Sequence, residues 1–207
     1  MLDHHRNSVD RPFLTVVAGC NGSGKSSFSN AIVPKGVIPF DYDKNFLKTY
    51  DRLIDTEFRD VMAHSIVTAE LESEIQDSLL KRKNFCYETN FNSTPLFWPE
   101  MFKESGFALN LVFFCLDSVE EAKRRVQIRV ENGGHFVPES EIVSRYYEGY
   151  RNLNKHFQYF DNVHLLNSSY YYQEPKHILS IGKGQVLAVG HVPEFLDELI
   201  PRIICLT

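Results

Sequence analysis

The sequence is short of cysteine, of long apolar runs and of positive charge, and each shortage removes a class of protein. Its four cysteines, Cys20, Cys86, Cys115 and Cys205, are scattered and form no C-x-x-C pair. Three sit in or beside apolar runs and read as small buried core residues, and Cys20 falls inside a glycine-rich loop. No apolar run approaches membrane-spanning length, and the start Met1-Leu2-Asp3-His4-His5-Arg6 lacks a signal-peptide core. The expectation is a reducing, cytoplasmic setting with no membrane partner. Lys and Arg total 22 against 27 Asp and Glu, a formal net charge of −5. That balance argues against a dedicated nucleic-acid binder, which carries a strongly basic face. Internal repeats, low-complexity tracts and linkers are also missing, so the 207 residues are expected to form a single domain, 1–207.

What is present is concentrated in one segment. Gly19-Cys20-Asn21-Gly22-Ser23-Gly24-Lys25-Ser26 fits G-x-x-x-x-G-K-[ST]. It lies between an apolar strand-like run, Phe13–Ala18, and a helix-like run that begins at Ser26. Glycines let the backbone curl so that successive N–H groups point at one phosphate, and the helix N-terminus adds its positive end. Gly19, Asn21, Gly22, Ser23, Gly24, Lys25, Ser26 and Ser27 are therefore the candidate nucleotide-binding set. Lys25 would reach the β- and γ-phosphates, and the Ser26 hydroxyl would help hold Mg²⁺.

The rest of the chain alternates strand and helix signals. Pro34-Lys35-Gly36 stops the first helix, and Val37–Asp43 reads as a short strand ending in carboxylates. From about Asp51 to Lys83 the pattern is helical, with Ile54, Phe58, Val61, Met62, Ile66 and Ala69 as its apolar stripe, continued by Ile75, Leu79 and Leu80. Such a length suits one helix or two. Strands follow at Phe85–Thr89, Ala108–Leu116 and Asn162–Leu166, separated by helical segments around 96–105, 119–131 and 138–157. Gly182-Lys183-Gly184 joins two strand-like runs as a hairpin, and Phe195–Ile204 reads as a closing helix. This alternation predicts a three-layer αβα fold with a mainly parallel sheet. Residues 12–168 make the core and 169–207 the hairpin and helix.

In such a sheet the ligand sits at the carboxyl ends of the strands. Those ends carry Asp41 and Asp43, then Glu88-Thr89-Asn90, then Asp117. Transfer of a phosphoryl group to an alcohol needs a carboxylate to accept the hydroxyl proton, together with cations for the spreading charge. Asp43 or Asp41 suits the base, and Glu88 suits orientation of the acceptor or of a metal-bound water. Arg125 and Arg129, four apart, share a helix face, and Arg145 lies beyond the Gly133-Gly134 turn. Inward arginines on a helix–turn–helix make a lid of about residues 119–157. A solvated face with Arg124, Arg125 and Arg129 paired to Glu121 and Glu131 is the alternative. The run Tyr146-Tyr147 with Tyr150 has the helical spacing of core packing. Tyr170-Tyr171-Tyr172 reads as a surface segment without a role.

These residues together resemble the zeta toxin family of P-loop kinases, in particular its small stand-alone bacterial members. Ala18–Ser26 resembles the family's phosphate loop, in which proline is usual at the Cys20 position. Asp41-Tyr42-Asp43 resembles its acidic motif, and Tyr87-Glu88-Thr89 its substrate-side strand end. Arg125–Pro138, with Gly133-Gly134-His135-Phe136-Val137-Pro138 and on to Arg145-Tyr146-Tyr147, is similar to its arginine-rich lid. The resemblance implies ATP and Mg²⁺ as cofactors, Asp43 as general base, and Arg129 and Arg145 on the transferring phosphate. Asp41, Glu88, Thr89 and Asn92 become the acceptor-side candidates. It implies an ATP-dependent phosphotransferase acting on a hydroxyl of a small molecule, a UDP-amino sugar being the best-known acceptor, with an antitoxin protein as candidate partner. A nucleotide or nucleoside kinase, and a non-catalytic ATP-binding partner module, remain the alternatives.

Overall fold

The computed structural model describes residues 11–134 and 136–207; His4, His5 and His135 lie outside the described residues. The first apolar run forms β1 (Phe13–Ala18), and the glycine-rich loop leads into α1 (Lys25–Ile32). The chain continues through α2 (Tyr42–Arg52), α3 (Arg59–Lys81), β2 (Phe85–Thr89), α4 (Phe97–Glu104) and β3 (Ala108–Cys115). Then come α5 (Val119–Glu131), α6 (Glu139–His156), a single 3₁₀ turn, β4 (Asn162–Asn167), β5 (Lys176–Gly182) and β6 (Gln185–Val189), ending in α7 (Leu196–Leu199) and α8 (Pro201–Ile204).

The six strands form one sheet in the order β2-β1-β3-β4-β5-β6. The first four are parallel, and β5 and β6 join antiparallel as the hairpin expected from Gly182-Lys183-Gly184. Side chains alternate between the two faces of a strand. Leu14, Val16 and Ala18 of β1 and Leu109, Leu111 and Phe113 of β3 enter the larger core with α3 through α8. Val17, Val112 and Phe114 point the other way, under Phe28 and Ile32 of α1. The αβα architecture is present, with its bulk on one face. It places the loop after β1 and the ends of β2, β3 and β4 along a single edge, where an open parallel sheet binds its ligand.

Three expectations need correction. Val37–Asp43 is not a strand: only Phe40 pairs, with Tyr87, through Phe40 N to Cys86 O (2.9 Å) and Glu88 N to Phe40 O (3.0 Å). Pro39 has no N–H to donate, and the Asp41 carboxylate accepts from Lys44 N at 3.0 Å, which turns the chain into α2. The helical stretch begins at Tyr42 and breaks at Leu53, and the α3 stripe runs in another register. Ala63, Val67, Leu71, Ile75 and Ser78 are buried, whereas Ile54, Phe58, Val61, Met62 and Ile66 are exposed. Of the expected continuation, Ile75 is in the core and Leu80 is exposed. Both registers have helical spacing, and the buried one faces α2 and the larger core. The closing helix splits at Pro201, which lacks the N–H that would bond back into α7.

Two of the three tyrosines of α6 pack as expected, whereas Tyr147 is exposed. Ile142, Tyr146, Tyr150 and Leu153 are buried. Both hydroxyls converge on Leu116 just past β3: Tyr146 Oη donates to Leu116 O (3.0 Å), while Tyr150 Oη donates to the same oxygen (2.8 Å) and accepts from Leu116 N (2.8 Å). This clamp ties α6 to the strand end nearest the phosphate loop.

Candidate active site

The phosphate loop is held open by backbone that only glycine adopts readily. Gly19, Gly22 and Gly24 have φ of 146°, 80° and 88°. Space is limiting too: a Cβ on Gly22 would lie 2.9 Å from Ala122 O and 3.2 Å from Arg125 Cβ. The loop is therefore packed on α5. Ser23 Oγ is buried with no hydrogen-bond partner among the described residues. A buried hydroxyl left in that state is costly, and a phosphate oxygen would satisfy it. Lys25 Nζ curls back over the loop and donates to Gly19 O (2.7 Å), Cys20 O (3.0 Å) and Asn90 Oδ1 (3.2 Å). Burial lowers the Lys25 pKa, opposed by the charges of Cys20, Glu88, Asp43 and Asp41. Burial also pushes the Cys20 thiol up to about 11, so it is not a reactive thiolate.

Ser26 Oγ donates to Glu88 Oε2 at 2.7 Å. This joins the start of α1 to the end of β2 and sets two hard oxygen donors side by side. Glu88 is raised above the usual carboxylate range, first by burial and then by the charge of Asp41. Asp43 lies in the first turn of α2 and Asp41 caps that helix, so the expected carboxylate pair is delivered by a helix start. Thr89 Oγ1 accepts from Phe91 N (3.0 Å) and shapes the turn that carries Asn92. Among the described residues no group of three His, Cys, Asp or Glu could hold a metal by itself. Mg²⁺ suits that arrangement, because it keeps several waters and needs one or two protein oxygens beside substrate phosphates.

The lid arginines have separate fates. Arg125, expected beside Arg129 in the lid, is 8% exposed. Its guanidinium donates to Glu121 Oε1 (2.6 Å), Ser168 O and Ser169 O (2.9 Å each) and Gly22 O (3.4 Å). It is a strut joining α5, the phosphate loop and the turn after β4. Arg124 makes a bidentate pair with Glu121 (2.6 and 2.7 Å), the surface pairing weighed as the alternative. Together the two arginines, Arg124 first, hold Glu121 down at about 2. Arg129 and Arg145 do reach the cavity. A Cβ on Gly134 would lie 2.5 Å from Arg129 Cγ and 2.9 Å from Arg129 O, so the turn packs on that arginine. Arg145 donates to Asn21 Oδ1 (3.2 Å) and to Glu141 Oε2 (2.5 Å), which fastens α6 to the loop.

Most of the expected site residues line a single cavity of about 1260 Å³. That exceeds the roughly 300–1,000 Å³ taken by one small ligand, and leaves room for a donor and an acceptor together. Gly22, Ser23, Gly24, Lys25, Ser26, Ser27, Asn21, Asp41, Asp43, Glu88, Thr89, Asn92, Arg129 and Arg145 are all on its wall, whereas Gly19 lies behind the loop. The wall also includes Asn90, already noted at the end of its strand, and parts that sequence reasoning missed. Asn90 holds Lys25, Asp60 and His64 come from α3, Phe97 and Trp98 from α4, and Tyr170, Tyr171 and Tyr172 from the loop after β4. Tyr171 lies under the Arg124 and Arg125 guanidiniums, 4.9 and 5.1 Å from the ring centre. The available signal was position alone: these segments follow or face the carboxyl ends of β2 and β4.

A phosphate loop between the first parallel strand and its helix, with an arginine-bearing helix–turn–helix above the same edge, defines the P-loop kinase fold. Within that class the chain belongs to the zeta toxin family, whose family model matches residues 1–177. Solved structures agree on the fold. The PezAT toxin–antitoxin system of Streptococcus pneumoniae aligns at 13% identity and TM-score 0.60, covering 99% of this chain and 91% of that one. The AvrRxo1-ORF1:AvrRxo1-ORF2 structure with sulphate ions aligns at 14% identity and TM-score 0.67, covering 92% and 63%. The Pnkp1/Rnl/Hen1 RNA repair complex aligns at 23% identity and TM-score 0.55, covering 74% and 49%. This chain thus spans about half to two thirds of the length of some of its structural neighbours. No curated protein sequence matches it. Among the described residues no helix is long and apolar enough to cross a membrane.

Proposed function

We propose that the protein is an ATP-dependent phosphotransferase that passes the γ-phosphoryl group of ATP to a hydroxyl of a small molecule. The observation that carries this reading is one cavity wall that holds Lys25 and Ser26 of the phosphate loop, Asp43 and Glu88 beside them, and Arg129 and Arg145 of the lid. The loop amides, Lys25 and the unpaired Ser23 hydroxyl bind the triphosphate. Ser26 is the residue that would hold Mg²⁺, which when bound supplies positive charge to the phosphate oxygens. Asp43 accepts the proton of the acceptor hydroxyl, while Glu88, Asp41, Thr89 and Asn92 position the acceptor. A bond forms from that oxygen to the γ-phosphorus, the bond to the β-phosphate oxygen breaks, and ADP leaves with the electron pair. Arg129 and Arg145 balance the charge spread over the transferring group.

Family membership supports a UDP-amino sugar as one acceptor to test, and an antitoxin protein as the partner. The PezAT neighbour is itself a toxin–antitoxin system. The deciding experiment measures ADP release and acceptor phosphorylation for Asp43→Asn. Transfer should fall by at least about a hundredfold, the scale of lost general-base catalysis, while ATP binding by calorimetry stays near that of the unaltered protein. Unchanged turnover would remove Asp43 from the reaction. ATP binding without transfer to any acceptor, in the unaltered chain as well, would leave a nucleotide-binding partner module.

A further inference from the structure

A surface helix turns one apolar side to the core, and a helix that is apolar on several sides belongs in an interior. The first half of α3 is apolar on two sides. Ala63, Val67, Leu71 and Ile75 face the core. At 3.6 residues per turn, Val61, Met62, Ile66 and Ala69, with Phe58 at the cap, lie on the side away from them. Among the described residues nothing covers this second side. Phe58 is 62% exposed, Val61 67%, Met62 47% and Ile66 38%, and Ile54, in the connection before α3, is 84% exposed. So many large apolar side chains exposed between residues 54 and 66 make the kind of patch that marks an interaction surface. The patch is bounded: past Ala69 the outward side of α3 turns to Glu72, Ser73 and Gln76.

Its surroundings are acidic. Residues 53–80 hold the carboxylates Asp55, Glu57, Asp60, Glu70, Glu72, Glu74 and Asp77, and Arg59 is the one lysine or arginine among them. Arg59 turns inward, donating to Tyr50 O (2.8 Å) with its guanidinium 4.0 Å from the Tyr50 ring centre, and it pairs with Asp55 (3.7 Å). Glu70 and Glu72 are exposed and flank the apolar stripe on either side. A second copy of this chain fits poorly here, because a twofold contact would set the same acidic rim against itself.

We propose that the outer face of α3 is the docking site of a partner protein's basic amphipathic helix. Apolar residues at i, i+3, i+4 and i+7 of that helix pack on Phe58, Val61, Met62 and Ile66, and lysines or arginines beside its stripe meet Glu70 and Glu72. The other side of α3 supplies Asp60 and His64 to the cavity. The partner therefore sits behind a cavity wall and stays outside the nucleotide site, and the surface is independent of the kinase reading above.

The test selects a displayed library of amphipathic helices, with charged and apolar positions randomised, on the full chain. Chosen helices should carry an apolar stripe flanked by lysine or arginine. Their affinity, read by fluorescence anisotropy of the labelled peptide, should fall as salt rises. It should drop by at least about tenfold for Val61→Glu with Met62→Glu, the scale of a lost interface anchor. Glu70→Lys with Glu72→Lys should weaken it as well, whereas Leu80→Glu, on the same helix beyond the patch, should leave it unchanged. Urea midpoints equal to that of the unaltered chain establish that the variants are folded. No enriched helix, enrichment without basic excess, or affinity indifferent to the Val61 and Met62 changes would each overturn the proposal. So would self-association by sedimentation that the same pair of changes abolishes, which assigns the face to a second copy. Binding to vesicles of phosphatidylcholine and phosphatidylglycerol, lost in that variant, would assign it to a lipid surface and equally overturn the proposal.

Discussion

Replacing Arg125 by methionine separates a strut from a catalytic arginine. The change keeps most of the stem and removes the guanidinium, which makes four hydrogen bonds in a site only 8% exposed. Bonds to charged groups contribute about 1.5–3 kcal/mol each, and breaking one partner of a buried pair costs about 3–5 kcal/mol. Glu121 keeps its bidentate contact with Arg124, so it is not left as an uncompensated buried charge. The loss is then three carbonyl contacts, to Gly22, Ser168 and Ser169, and a stability decrease of about 3 kcal/mol is expected. At this chain length that lowers Tm by about 6–12 °C. Urea unfolding followed through the single tryptophan, Trp98, measures it directly, and an ATP titration reports the loosened loop. A loss below about 1 kcal/mol would refute the strut. So would intact stability with abolished turnover, which would put Arg125 on the phosphate instead.

Three further outcomes follow from the same contacts. Gly134→Ala should displace Arg129, because the added Cβ meets backbone Arg129 O at 2.9 Å; turnover should drop by more than about tenfold with ATP affinity little changed. In Gly133→Ala the Cβ would meet nothing, so that variant should show only the backbone strain of φ +83°, about 1–2 kcal/mol of stability. Ile75→Ala should lose about 2–5 kcal/mol in urea unfolding, whereas Val61→Ala should stay within about 0.5 kcal/mol, and equal losses would contradict the buried register of α3. Glu121 titrates lower when folded, at about 2 against 4.5, so its contribution is complete above pH 4.5 and disappears as pH falls toward 2. Glu121→Gln should therefore flatten the dependence of the urea midpoint on pH across that window, and an unaltered slope would exclude Glu121 as its source.

Local patterns were readable in advance, because neighbouring residues decide them. The glycine spacing of the phosphate loop, the apolar runs of β1 and β3 and the Gly182–Gly184 hairpin are each specified within a few residues. Motif and strand-end position pointed to Lys25, Asp43, Glu88, Arg129 and Arg145, and these five line one cavity. The errors occurred where two local answers were of similar quality. Asp41 could end a strand or cap a helix, and the cap bond to Lys44 N chose the helix. Between Ile54 and Ile75, Ile54-Phe58-Met62-Ile66 and Ala63-Val67-Leu71-Ile75 both have helical spacing. Packing against α2 and the larger core chose the second set.

By itself the sequence determined a triphosphate loop on a parallel αβα core, with acidic and basic groups available for phosphoryl transfer. Tertiary structure alone decided what those groups face. Arg125 and Gly22 are 103 residues apart, Lys25 and Asn90 are 65 apart, and Ser26 and Glu88 are 62 apart. No periodicity or motif links such pairs, because their contact depends on how strands order in the sheet and how α5 and α6 close over its edge. The same packing gathers cations from the loop and lid and carboxylates from α2, β2 and α6 around one cavity. Charge along a chain sums to one number; only the fold decides which charges meet.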